Sequence, residues 1–218
     1  MHRFPTAATR AATSVALVAA LAGCSSAPLS GGIAAGVDPA FLGGGPMPTP
    51  EATIEPHPGS WETIDVPDDF SVIMIVADES AATTTIADAV EAWADRENVD
   101  LDTLTAANDD ELIDRIAEAT AAAPDVVIGA GAGVVDEFAY GTAGHLDQQY
   151  LVVGAQLGEP TENVTAAIWP GATFRGTGIT DDEQDASAVT PARALDAVSA
   201  GVASILQGLT GIVVSLPA

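Results

Sequence analysis

Ser71-Val72-Ile73-Met74-Ile75-Val76-Ala77 is an apolar run opened by a single serine. It is too short for a core helix and rich in branched side chains. It therefore reads as a strand covered on both faces, the kind found in parallel sheets flanked by helices. The chain beyond it keeps the matching alternation. Residues 83–97 carry a helical period, with Ile86, Ala89, Val90 and Trp93 on one side. Residues 99–104 form a weaker second strand. Asn108, with Glu111 three positions on, predicts a capping box for a helix striped by Leu112, Ile113, Ile116 and Ala119. Pro124 ends that helix.

Further strands follow at residues 125–129, 150–154, 163–169 and 211–215, with a short helix over 134–140. A last helix is capped by Thr190, has Pro191 at its first position and runs to about Gln207. The expected fold is α/β, a three-layer parallel sheet flanked by helices, over residues 69–218. Apolar residues make up 48% of the chain and aromatics only 5%. Such small aliphatic side chains suit close helix-on-sheet packing.

Upstream, residues 24–68 read as a flexible Pro/Gly-rich tether, of which Trp61 to Val66 alone is a candidate to pack on the domain edge. Prolines interrupt every hydrophobic period, as in Gly43-Gly44-Gly45-Pro46-Met47-Pro48-Thr49-Pro50. Residues 1–23 read as a signal peptide. Arg3 and Arg10 supply the basic start, and residues 11–22 form an apolar stretch short of the ~20 residues needed to span a bilayer. The stretch ends in Leu21-Ala22-Gly23-Cys24, which matches the lipobox pattern of bacterial lipoproteins. The implied mature chain begins at a lipidated Cys24 and sits on the extracytoplasmic face of the cell membrane. Cys24 is the only cysteine, so no intrachain disulfide forms.

The charge is extreme. The chain has 31 acidic residues and six arginines, with no lysine. Removal of Arg3 and Arg10 with the signal leaves 31 acids against four arginines, or −27 with neutral histidine. That surface repels nucleic acid and anionic headgroups, which excludes a nucleic-acid partner.

Three stretches carry a family resemblance: Pro124-Asp125-Val126-Val127-Ile128-Gly129-Ala130-Gly131, Gln149-Tyr150-Leu151-Val152-Val153-Gly154, and residues 163–176, which end Trp169-Pro170-Gly171-Ala172-Thr173-Phe174-Arg175-Gly176. Their order and wording resemble the basic membrane protein family of substrate-binding lipoproteins. That family serves ABC transporters, and several members bind purine nucleosides. The resemblance covers about half the chain and implies a single periplasmic-binding-protein-like lobe, where family members have two. Phe174 falls one position later than the family aromatic, and Arg175 replaces a small residue. The family's base-stacking aromatic would fall near Ala132. Of the early ligand-contacting segment, only Asp78 and Ser80 carry over.

In open parallel sheets, ligands sit beyond the carboxyl ends of the strands. That rule selects Asp78, Ser80, Gly131, Gln156, Trp169 and Arg175 as ligand-binding candidates. Each has a plainer reading. Asp78 suits a helix cap, Gly131 and its neighbours a tight turn, Trp169 the edge of the core, and Arg175 an internal ion pair. Enzyme signals are missing. The mature chain has only His57 and His145, no Gly-x-Ser-x-Gly elbow and no Walker lysine. No cofactor is expected. Asp181-Asp182-Glu183-Gln184-Asp185 lacks the spacing of a Ca²⁺ loop and reads as solvated. The functional expectation is an anchored lipoprotein binding a small solute, nucleoside-like in the resemblance, or serving an ABC transporter permease or other membrane protein. The alternative is an interaction lipoprotein that keeps the fold without a ligand.

Overall fold

The computed structural model describes residues 37–174 and 185–217, all within one compact unit. In chain order the elements are β1 (Thr53–Ile54), β2 (Ser71–Val76), α1 (Ala81–Glu97), β3 (Asp100–Thr105), α2 (Asp109–Ala122), β4 (Val126–Ala130), α3 (Val135–Gly141), β5 (Tyr150–Val153), β6 (Ala155–Gln156), β7 (Val164–Ile168), β8 (Thr173–Phe174), α4 (Pro191–Leu206) and β9 (Val213–Ser215). Seven strands form one sheet in the order β1-β9-β7-β5-β4-β2-β3, and every pair in it is parallel. β6 and β8 make a small separate pair. No described helix is long and apolar enough to cross a membrane.

The apolar run that opened the sequence divides its side chains between two cores. Val72 and Met74 pack with α1 and α4, and Ile73 and Ile75 with α2 and α3. The same alternation along β4 and β5 explains why these strands carry no polar positions. Alanine-rich α4 lies close on the sheet. A methyl group on Gly201 would come within 2.5 Å of Leu151 Cδ1, so the helix reaches this depth only with glycine there.

The caps expected at Asn108 and Thr190 form, and α1 is capped by Ser80 rather than by Asp78. Ser80 accepts from the Thr83 amide and Asn108 from the Glu111 amide, while the Glu111 carboxylate reaches back to the Ala107 amide. Thr190 accepts from Arg193 N, with Pro191 at the first position of α4. Asp125, in the Pro124-Asp125 stretch, ties the amino ends of β2 and β4 together. Its Oδ2 accepts from Ser71 N and Ser71 Oγ, both at 2.8 Å.

The tether expected over residues 24–68 is corrected for its described part, residues 37–68. Val37, Phe41, Leu42, Ile54 and Trp61 are buried and belong to the α1–α4 core. β1 adds a strand to β9 through the registers Thr53↔Val213 and Ile54↔Val214. Asp38 N also donates to Gln207 Oε1, at 2.8 Å. The segment is a strap over the edge of the sheet. Its apolar residues follow no period, because each drops singly into the core between turns. As expected, residues 61–66 pack on the domain edge, but so does the chain before them.

Tyr150, at the start of β5, is fully buried and stacks edge-on against Phe138, with ring centroids 5.8 Å apart. Its hydroxyl lies 2.6 Å from Thr120 Oγ1. Thr120 donates its own proton to Ile116 O, so Tyr150 is the donor. Burial pushes the phenol above its ordinary 10.0, Asp147 adds to this, and the Thr120 bond acts against it. Above pH ~10 the unfolded chain then releases a proton that the folded chain keeps, so stability falls as pH rises. Urea midpoints measured between pH 9 and 11 should fall, and Tyr150→Phe should flatten that fall.

Candidate functional site

The strand order reverses at one place. From β2 the chain goes to β3 on one side, then crosses back to β4 on the other. Such a switch leaves a crevice beyond the carboxyl ends of the two strands it separates. Here the loops after β2 and β4 meet there. They bring together Asp78, Ser80, Thr83, Gly131 and Gly133.

Asp78 is half-buried and held from both sides. Its Oδ1 accepts from Ser80 N at 2.8 Å and its Oδ2 from Thr83 Oγ1 at 2.9 Å. An ionised carboxylate has about four acceptor positions, of which these two bonds use two. Ser80 Oγ is the N-cap of α1, accepting from Thr83 N at 3.1 Å. Gly131 has φ +77°, and a methyl group on it would lie 2.6 Å from Thr83 Oγ1. Its amide donates to Val153 O, at 2.9 Å, so that N–H belongs to the sheet. A methyl group on Gly133 would lie 2.4 Å from Asp78 Oδ2. The glycine run after β4 is therefore what lets this loop close against the Asp78 carboxylate.

The other candidates lie apart from this cluster. Gln156 is half-buried on β6, in register with Phe174 of β8. Trp169 is only 2% exposed and packs in the α1–α4 core, where its Nε1 has no hydrogen-bond partner. It offers no ring face at the surface. Cys24, Arg175 and most of the acidic loop lie outside the described residues. Asp185, the loop's last member, caps a short turn. Its Oδ1 accepts from Ser187 Oγ and N, and these bonds hold its carboxyl below the usual range.

Thr83 was not legible as a site residue, although the Ser80-Ala81-Ala82-Thr83 spacing, a hydroxyl pair across the first helical turn, is its signal. Asn163 was readable only as part of a glycosylation pattern. It is 1% exposed, and its Nδ2 donates to Thr142 O, His145 O and Gln148 O at 3.1, 2.9 and 3.1 Å. Among the described residues, no group of three or more His, Cys, Asp or Glu side chains is placed to hold a metal ion.

No family model and no curated protein matches the chain. Among solved structures it is similar to an ABC transporter solute-binding protein from Aeropyrum pernix K1, at 13% identity and a TM-score of 0.41, covering 47% of this chain and 29% of that one. A fragment from Peptoclostridium difficile 630, described as a lipoprotein, aligns at 14% identity and a TM-score of 0.44, covering 63% of this chain and 98% of that one. A periplasmic ribose ABC transporter structure from Conexibacter woesei DSM 14684 aligns at 15% identity and 0.39, covering 68% and 53%. The chain thus spans less than two thirds of the first and third of these proteins. The α/β architecture with its parallel sheet rests on the strand register itself.

Proposed function

We propose that the protein is an exported lipoprotein, anchored through Cys24, whose α/β lobe takes a small polar solute at the switch point between β2 and β4. The observation that carries this reading is the Asp78 carboxylate. It stands at the one reversal of strand order, oriented by Ser80 N and Thr83 Oγ1, with acceptor positions left over. A hydroxyl-bearing or amine-bearing solute, such as a nucleoside, matches an acceptor of that kind. The family motifs around Pro124, Tyr150 and Asn163 support the same class.

The strap changes the spacing from the membrane. Residues 25–36 lie between Cys24 and the first described residue, Val37, so the distance from Cys24 to Val37 is at most roughly 45 Å. A lobe on so short a leash suits a partner in the same membrane, such as an ABC transporter permease.

A second reading has its own observation. Ser80 Oγ and the Gly131 amide are already bonded within the fold, and Trp169 is buried. An interaction lipoprotein that keeps the fold without a ligand accords with that. A thermal-shift screen of the mature chain against nucleosides separates the two. Solute binding is expected to raise the melting temperature by several degrees with at least one nucleoside and to be lost in Asp78→Asn. A flat response across the panel favours the interaction reading. Anchoring is checked by fatty-acid labelling, which Cys24→Ser is expected to abolish.

A further inference from the structure

Packing of residues 60–66 against α1 and α4 creates a second concavity, on the helical face and apart from the switch point. It is a groove of about 400 Å³. Trp61 and Trp93 line it, together with Glu62, Asp65, Arg96 and Asp196. Both tryptophans are almost fully buried, and the apolar surface that the groove exposes comes from the half-buried Ile64, Val66 and Leu206.

The charges around it do not balance. Glu62 and Asp65 face it from the turn, Arg96 and Glu97 from α1, and Asp196 from α4. Four carboxylates therefore share one guanidinium. That guanidinium is already held, with Nε on Glu97 Oε1 at 2.8 Å and Nη2 on Ser199 Oγ at 3.0 Å. Among the described residues, Glu62, Asp65 and Asp196 form no ion pair of their own. Partial burial, and then repulsion from Glu62, hold the Asp196 carboxyl above the usual range, while Arg96 and the Trp61 indole act against the shift.

We propose that this groove binds a small organic amine, with its ammonium groups between Glu62 and Asp196 and its carbon chain along Ile64, Val66 and Leu206. The volume suits a ligand of a few to a dozen heavy atoms. A compact divalent ion lacks the ligand set, since the carboxylates are spread around the rim and no three donors converge. An anion meets the wrong sign. An extended cation satisfies separated carboxylates and an apolar wall at once. The proposal is independent of the switch-point reading, because it shares no residue with it.

The test is calorimetric titration of the detergent-solubilised mature chain with 1,4-diaminobutane in 150 mM NaCl, with intrinsic tryptophan fluorescence as a second readout. Saturable binding at one site is expected at pH 7, weakening as the pH is lowered and Asp196 takes up a proton. The double variant Glu62→Gln/Asp196→Asn, at exposed positions where folding is retained, should weaken binding at least tenfold. Asp68→Asn/Asp95→Asn, which alters acids outside the groove, should leave it unchanged. No saturable binding in the millimolar range would overturn the proposal. So would equal loss in both double variants, which would mark diffuse attraction to an acidic chain, or full binding in Glu62→Gln/Asp196→Asn.

Discussion

Phe41→Ala is expected to lower the stability of the mature chain by about 3–4 kcal/mol, the usual range for emptying a buried aromatic site. For a domain of this size that lowers the melting temperature by about 10 °C. Phe41 has no exposed surface, and the strap that carries it is fixed along its length. Asp38 N is bonded to Gln207, Glu51 N to Gly211 O, and Val213 N to Ala52 O. A loose tether would give the opposite result, since Phe41 would then touch nothing that folding depends on. Thermal melts of wild type and variant decide the point, and a difference within a degree would sink the strap.

Asn163→Ala is expected to be nearly as damaging, at about 3 kcal/mol. The Asn163 amide serves three backbone carbonyls of the loop between α3 and β5, and its Oδ1 accepts from Thr161 Oγ1 at 2.6 Å. Truncation removes a donor from all three: Thr142 O and His145 O keep only the His145 and Gln148 amides, Gln148 O loses the Asn163 bond, and Thr161 loses its acceptor, where an unmade buried bond costs about 1–3 kcal/mol. Hydrogen exchange should locate the damage. Amides of residues 142–149 should lose protection well beyond those of β2, whose bonds are untouched. Uniform loss across the sheet, or none, would contradict this role. The same burial keeps the Asn163-Val164-Thr165 pattern out of reach of glycosylation once the chain has folded.

The core strands and long helices were legible because their signals are local. β2 and β4 are short apolar runs, and Asn108 and Thr190 mark helix starts by side-chain chemistry that acts within one turn. The strap was not legible. Val37, Phe41, Leu42 and Ile54 are irregularly spaced among prolines and glycines, and only β9, more than 150 residues later, shows where they go. The small pair β6–β8 was missed for a similar reason, since two residues a side carry no pattern. The carboxyl-edge rule selected Asp78 and Gly131, whose loops meet at the switch point, and also Trp169, which is buried. The rule locates strand ends and does not tell which way a side chain turns. Thr83 and Gly133 take their meaning from contact with Asp78, a relation between loops that are neighbours only in the folded sheet.

The most direct test of a solute site at the switch point is to map where binding occurs. Amide spectra of the isotope-labelled mature chain, titrated with each common nucleoside in turn, should show saturable shifts for at least one of them. The shifts should centre on residues 77–83 and 131–133 and be absent along α2. Shifts confined to other surfaces, or spectra that no nucleoside moves, would contradict it.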